Sequence, residues 1–199
     1  MSTVQPTDTT TAATVQTASM TVVSGWAPPA VSIPKNPEYR EKLGPYADLL
    51  LRGGVTPYGS EEHVLYIVSC IESAGFSVTL DPSGHAIEAA PGAQVDQFRQ
   101  VQAACEQAAI DSGLVAAPTS ASKEFLAAQY QAMLITYQCL IDRGYPTSEP
   151  PSEQAYVDRA VSWHPYEVLS GPDYEAAEQV CPWDLTTLFE QMAAVGQTP

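Results

Sequence analysis

The chain has 199 residues, of which 45% are hydrophobic, and 23 acidic residues against 8 basic ones give it a formal net charge of −15. A chain of this size buries enough apolar surface for a real core in one domain or two small ones. The charge argues against nucleic-acid binding, which needs clustered Lys and Arg to neutralise phosphates, and an anionic membrane would repel the protein. No apolar run of about 18 residues occurs, so no membrane-spanning helix is predicted.

The N-terminal quarter is predicted to be extended. Residues 1–25 are mainly Thr, Ser, Ala, Val and Gln, a composition that cannot bury enough apolar surface to offset the entropy of ordering. They are interpreted as a tether or docking arm. Residues 26–59 are rich in proline and are expected to form an extended segment broken by one short helix over 46–52. This segment carries several of the basic residues, namely Lys35, Arg40, Lys42 and Arg52.

Residues 60–112 are predicted to form a first unit, in which a helix, a hairpin and a second helix follow one another. Ser60 is expected to cap a helix over 61–74 whose first turn is acidic, as the helix dipole favours. Apolar and polar residues alternate over 76–80, which predicts a half-buried strand leading through a turn into a second strand. A second helix is expected over 92–112. The predicted buried stripes are Val64, Ile67, Val68 and Ile71 in the first helix, and Val95, Phe98, Val101 and Cys105 in the second.

Residues 119–183 are predicted to form a second, mainly helical unit, and residues 184–199 a tail. The longest helix of this unit should end near Gly144, since Pro146 prevents its continuation. The expected helices span 123–143, 152–160, 173–180 and, in the tail, 184–194. The predicted buried stripe of the longest helix is Leu126, Tyr130, Met133, Leu134, Tyr137 and Ile141. The fold class is therefore expected to be α+β.

The four cysteines predict disulfides rather than a metal site. Cys70 and Cys139 each begin the same sequence motif, which is Cys, an aliphatic residue, three further residues, Gly and an aromatic residue. No Cys-x-x-Cys pair of the kind common in zinc sites is present. Of the three possible connectivities, the two sequential pairs are favoured, Cys70–Cys105 and Cys139–Cys181, so that each unit closes its own bond. Disulfides indicate a place outside the reducing cytoplasm, such as the extracellular space, the cell envelope or a virion.

Two histidines have acidic neighbours. His164 with Glu167, and His63 with the acids at 61 and 62, could each present two ligands from one helical turn. A histidine near acids is common on an acidic surface, so ordinary surface roles are favoured. His85 has no visible partner.

The glycine spacing over 54–60 is that of a phosphate-binding loop. This stretch lacks the essential Lys and contains Pro57, so the interpretation is rejected. No catalytic residue, metal ligand or cofactor-binding residue is predicted.

Aromatic residues near prolines form the candidate interface. Such residues are frequent in protein–protein contacts, although packing of a small core beneath an irregular loop explains them equally well. The candidates are Trp26, Trp163, Tyr166, Tyr174 and Trp183.

Over residues 61–183 the chain resembles a group of actinobacterial secreted proteins and lipoproteins of unknown function. The motifs that carry the resemblance are the phrase over 70–78 with a later helix bearing Cys105, the stretches 137–145 and 150–158, Trp163-x-Pro165-Tyr166, and Cys181-Pro182. The resemblance implies an exported, disulfide-bonded α+β module behind a Ser/Thr-rich tether, with no activity to transfer. The scarcity of Lys and Asn also favours a high-GC, actinobacterial genome. The chain starts without the charged and apolar regions of an export signal, so we expect either a removed signal or another route such as release in a virus particle.

These features favour a non-catalytic structural or interaction protein, at an actinobacterial envelope or in a virion or other large assembly. Its N-terminal arm and Pro-rich segment would dock it onto other protein subunits. The alternative is a ligand-binding or enzyme-like domain with a site between the two units, using His164, Glu167 and nearby tyrosines.

Overall fold

The computed structural model describes residues 25–32, 38–80 and 87–199. Most of these residues are helical, and two short strands form a small sheet, which confirms the α+β class. The predictions for residues 1–24, for Lys35, for the turn between the strands and for His85 lie outside the described residues.

The helices and strands are joined by connections of differing length, the longest of which lie between α4 and α7. In chain order they are α1 (Tyr39–Leu43), a 3₁₀ helix (Gly44–Tyr46), α2 (Ala47–Leu51), α3 (Glu61–Ser73), β1 (Val78–Leu80), β2 (Ile87–Ala89), a second 3₁₀ helix (Gly92–Gln94), α4 (Val95–Asp111), α5 (Lys123–Asp142), α6 (Glu153–Val157), α7 (Gly171–Glu178) and α8 (Leu185–Ala194). Strands β1 and β2 pair antiparallel, with Thr79 opposite Glu88. The helices of the described ranges include none that is long and apolar enough to cross a membrane.

Capping side chains set where the main helices begin. Ser60 accepts a hydrogen bond from the backbone N–H of His63 at the start of α3, and Ser122 does the same for Phe125 at the start of α5. Asp184 caps α8 by accepting from the N–H of Thr187. These bonds satisfy N–H groups that have no partner within the helix.

The first hydrophobic cluster surrounds the Cys70–Cys105 disulfide, which joins α3 to α4 as predicted. Both cysteines are fully buried. Residues 26–32 lie against this cluster, where the Trp26 indole N–H donates to the Ser73 hydroxyl across 3.1 Å. The predicted stripes are largely buried, but Val95 is 38% exposed because it opens the first turn of α4. The remaining buried members are Ile67, Ile71, Val78, Val101, Ala109, Leu114 and Val115.

The prediction of an extended segment over 26–59 is wrong for its second half. Residues 39–51 form α1, a 3₁₀ helix and α2 instead of one short helix. Their apolar side chains are buried against the first half of α5 and against α8, which form the second cluster. This cluster comprises Leu43, Tyr46, Ala47, Leu51, Phe125, Ala128, Ala132, Leu188, Phe189 and Met192. Residues 39–51 are therefore part of the core.

Helix α5 is buried on more than one face. Ala128 and Ala132 face the second cluster, whereas Tyr130 and Met133 pack with Trp163 in a separate cluster. The predicted stripe of α5 missed the alanine face, and its last member, Ile141, is 44% exposed. A single amphipathic stripe describes a helix with one covered face, and α5 has two.

The Cys139–Cys181 disulfide joins the end of α5 to the short segment between α7 and α8, again as predicted. Around it pack Leu140, Leu169 and Ala177. Tyr166 is buried here, and its hydroxyl donates toward the carbonyl oxygens of Ala177 at 3.3 Å and Cys181 at 3.0 Å. The buried tyrosine hydroxyl is thus paired with two backbone carbonyls, one in the last turn of α7 and one at Cys181.

Gly54 allows two backbone segments to touch. A Cβ atom at this position would lie 2.6 Å from the backbone N of Ala116 and 2.8 Å from the Cα of Val115. Beside it, the backbone N–H and the hydroxyl of Thr56 both donate to the carbonyl oxygen of Leu114, at 2.9 and 3.0 Å. The glycine that suggested a phosphate loop therefore serves backbone packing.

We expect Gly54→Ala to lower the free energy of unfolding by about 3 kcal/mol, because rigid backbone atoms must move to admit the methyl group. The matched control is Gly53→Ala, which meets no atom within 4 Å but has a φ of +101°; its expected cost is about 1 kcal/mol. Urea denaturation of both variants measures the difference. Equal losses at the two positions would show that the close approach at Gly54 is not tight.

Candidate functional site

Two adjoining cavities open where α2, residues 114–122 and the first turn of α5 meet. The first has a volume of about 210 Å³ and the second about 370 Å³. Arg52, Ala116, Ala117 and Phe125 line both. The other walls of the first are mainly apolar, including Leu50, Leu51, Pro118 and Leu185, whereas Asp48, Thr119, Ser120 and Ser122 line the second. We call this pair the seam cavities, because they lie where residues 48–58 and 116–122 meet the first turn of α5.

Arg52 is the cationic group of the seam cavities. It ends α2 in the left-handed conformation, with φ 49° and ψ 23°, which directs the chain into the Gly53-Gly54 turn. Its guanidinium carbon lies 4.3 Å from the centre of the Phe125 ring, a cation–π arrangement. Its Nη1 atom donates to the carbonyl oxygen of Thr119 at 3.3 Å.

Arg52 differs from several other basic residues in its ionic partners. Arg40 pairs with Asp48 at 2.8 Å, and Lys123 pairs with Asp158 at 2.7 Å. Within the described ranges no carboxylate lies within ion-pair distance of Arg52. A partly buried guanidinium without a carboxylate stands out in a chain of net charge −15.

Tyr58 borders the first cavity and belongs to a polar chain in which His63 is buried, Glu106 is partly buried and Tyr58 itself is exposed. The Gly59 N–H donates to His63 Nδ1 across 3.0 Å, so the neutral ring carries its proton on Nε2. That nitrogen donates to Glu106 Oε2 at 2.9 Å, and the Tyr58 hydroxyl donates to the same oxygen at 3.3 Å. Burial, and secondly the charge of Glu106, raise the pKa of Tyr58.

His63 therefore joins the start of α3 to α4. Its hydrogen-bonding partners are on a loop and on another helix, not the adjacent acids at 61 and 62 that suggested a shared ligand site. In the described part of the chain, no three His, Cys, Asp or Glu side chains are grouped as a metal ion would require.

His164 and Glu167 are held within one loop. His164 Nδ1 accepts the Tyr166 N–H at 3.2 Å, and Glu167 accepts hydrogen bonds from the His164 N–H and the Ser148 hydroxyl. Ser148 in turn accepts the Trp163 indole N–H at 3.1 Å. Burial lowers the pKa of the His164 imidazole, and the charge of Glu167 opposes this effect. Neither residue lines the seam cavities.

The predicted interface aromatics fall into two groups. Trp163 is 5% exposed and Tyr166 is 3% exposed, so for these two the core-packing interpretation holds. Trp26, Tyr174 and Trp183 are partly buried beside the clusters of the two disulfides. They stay candidates for contact through their exposed edges.

Comparison with known proteins gives no match: no family model, curated protein or solved structure is similar to this chain. The fold and its two disulfides define a class, that of acidic, disulfide-bonded α+β proteins. Two intramolecular disulfides are typical of proteins outside the reducing cytoplasm.

The sequence does not point to the seam cavities as a site. Arg52 stands with neighbouring basic residues, although an Arg before two glycines at the end of an apolar run is a usable signal. Phe125 and Glu106 carried no such signal, because their contacts with Arg52 and His63 join positions far apart in the chain.

We expect His164 to make stability depend on pH. Burial lowers its folded-state pKa below the unfolded value of about 6.5. As the pH falls through that value, the unfolded chain binds more protons than the folded one, so the contribution of His164 to stability is lost. His164→Asn removes the titration, and its amide oxygen can still accept the Tyr166 N–H.

The measurement is the free energy of unfolding of both proteins, taken from denaturant titrations at about pH 7.5 and at about pH 5. The wild type should lose stability relative to His164→Asn as the pH falls. The carboxylates common to both proteins cancel in the difference. A gap between the two proteins that is constant across this range would contradict the assignment.

Proposed function

We propose that this chain is a non-catalytic structural or interaction protein that acts outside the cytoplasm, at an actinobacterial cell envelope or as a component of a virion or other large assembly. The observation that carries the proposal is the pair of intramolecular disulfides. Within this proposal, residues 60–112 form a helix-hairpin-helix unit whose two helices are linked by Cys70–Cys105.

The disulfides support a role in which the folded protein must last for a long time. Each closes a loop of several tens of residues, which is worth roughly 3 to 4 kcal/mol in the chain-entropy model. Cys70 and Cys105 are fully buried in a hydrophobic cluster, where reductants have little access. Such bonds form and persist in oxidising compartments.

The groups of the enzyme-like alternative are already engaged. His164 accepts the Tyr166 N–H and Glu167 accepts the Ser148 hydroxyl, so the two side chains hold the turn over 164–167 and join it to Ser148. A catalytic acid or base must lie within reach of a substrate in an accessible site. Neither residue lines the seam cavities, which favours a structural role for both.

Of the two segments expected to dock onto other subunits, the proposal keeps only the one at the start of the chain. Residues 26–32 lie against α3, where the Tyr66 hydroxyl donates to the Pro29 carbonyl at 3.2 Å, and residues 39–51 belong to the core. Deleting residues 1–57 would therefore remove core side chains as well as a docking element. The arm proposed to contact other protein subunits is residues 1–24.

The test compares the full chain with a variant lacking residues 2–24 in the source cells. Free thiols are alkylated before lysis, and fractions are analysed by mass spectrometry without reduction. Both proteins should carry two disulfides, and the full chain alone should co-sediment with the envelope or particle fraction. A variant whose first 24 residues are replaced by a Gly/Ser sequence of equal length controls for chain length.

Two results would contradict the proposal separately. Four alkylated cysteines in a cytoplasmic full-length protein would refute the compartment. Co-sedimentation of the shortened chain at the full level would refute docking by the arm.

A further inference from the structure

We propose that the seam cavities bind a carboxylate carried on a small apolar group, with Arg52 as the residue that receives the carboxylate. The inference goes beyond the proposed function and does not rest on it. It follows from the charge of Arg52, the state of the polar groups around it and the shape of the first cavity.

The guanidinium of Arg52 is held in place and incompletely used. It lies over the Phe125 ring, and both hydrogen bonds it donates leave from Nη1 toward Thr119. In the described ranges Nε and Nη2 meet no acceptor of the protein. Two parallel N–H groups on the edge of a guanidinium match the two oxygens of a carboxylate.

The acidic residue nearest to Arg52 in the sequence, Asp48, forms an ion pair with a different arginine. Asp48 precedes Arg52 by one helical turn and lines the second cavity, but its carboxylate lies 2.8 Å from Arg40 Nη1. An anion from outside the protein therefore does not compete with an internal ion pair at Arg52.

The start of α5 does not supply the anion site. Hydrogen bonds from its own backbone N–H and from Ser122 lower the pKa of Glu124, so this carboxylate already uses donors of the first turn. Ser122 also accepts the Phe125 N–H at 3.1 Å. This leaves Arg52 as the group in the seam cavities with free N–H donors and a positive charge.

The first cavity sets the apolar part of the ligand. Its volume of about 210 Å³ and its walls of Leu, Pro and Phe suit a group the size of benzene or isobutyl, since an engineered apolar cavity of about 150 Å³ binds benzene. The Tyr58 hydroxyl at its edge donates to Glu106, whose negative charge disfavours a second anionic group. The fit is a single carboxylate at Arg52 with its apolar group among Leu50, Leu51 and Leu185.

The test is an NMR titration of the ¹⁵N-labelled full chain with 4-methylpentanoate and with its neutral isostere 4-methylpentanamide. The acid should shift the amide signals of Arg52, Ala117 and Phe125, and bind about tenfold more tightly than the amide because a charge-assisted hydrogen bond is lost. Arg52→Gln should lower the affinity for the acid about tenfold. Arg143→Gln, the same charge change at an exposed position, should leave it unchanged.

A second variant and a second ligand complete the design. Arg52→Lys keeps the charge and loses the planar fork, so its affinity should lie between those of the wild type and Arg52→Gln. N-acetyl-leucine presents the same isobutyl group beside a peptide. Tighter binding than 4-methylpentanoate identifies the C-terminus of a polypeptide as the source of the carboxylate, and equal or weaker binding identifies a small free acid.

Equal affinity for the acid and the amide would overturn the proposal. Undiminished binding of the acid by both Arg52 variants, or shifts confined to residues away from the seam cavities, would overturn it as well.

Discussion

Helix α8, near the C-terminal end of the chain, packs on residues 43–51 and on α5, and the second hydrophobic cluster with the seam cavities beside it depends on this contact. Phe189 stacks on Tyr46 with ring centres 5.1 Å apart and meets the edge of Phe125 at 6.3 Å. These rings bury apolar surface in a cluster that contains neither disulfide. The hydroxyl of Tyr46 is buried and has no hydrogen-bond partner in the described part of the chain, which costs about 1 to 3 kcal/mol. The packing of the three rings must exceed that cost.

The packing of α8 on residues 43–51 also positions the seam cavities. Arg52 ends α2, Phe125 lies in the first turn of α5, and Leu185 begins α8. Among the described residues no disulfide links two of these elements directly, since Cys70–Cys105 joins α3 to α4 and Cys139–Cys181 joins the last turn of α5 to a residue before α8. The walls of the cavities are therefore held together by hydrophobic packing, and Gly54 allows close approach of the chain after Arg52 to Val115 and Ala116.

Local signals were enough to predict α3, α4, α5 and α8 within a few residues, because caps and apolar stripes are written in contiguous sequence. The cysteine pairing was also predictable, since each bond joins sequential cysteines. The prediction is wrong over 39–51, because the proline content of residues 26–59 favours an extended segment. In the structure Pro45 lies in the first turn of a 3₁₀ helix, a position that needs no N–H. The second buried face of α5, the His63–Glu106 bond and the stacking of Arg52 on Phe125 all join distant residues, so no local pattern could predict them.

Native-state hydrogen exchange of the disulfide-intact protein tests most directly whether α2 and α8 form one core with the first half of α5. If they do, amides in α2, in the first half of α5 and in α8 exchange with the same free energy of opening, and all three respond equally to low denaturant. Exchange from α2 or α8 at a distinctly lower free energy than α5 would contradict the account, because these helices would then open independently of the helix on which they pack.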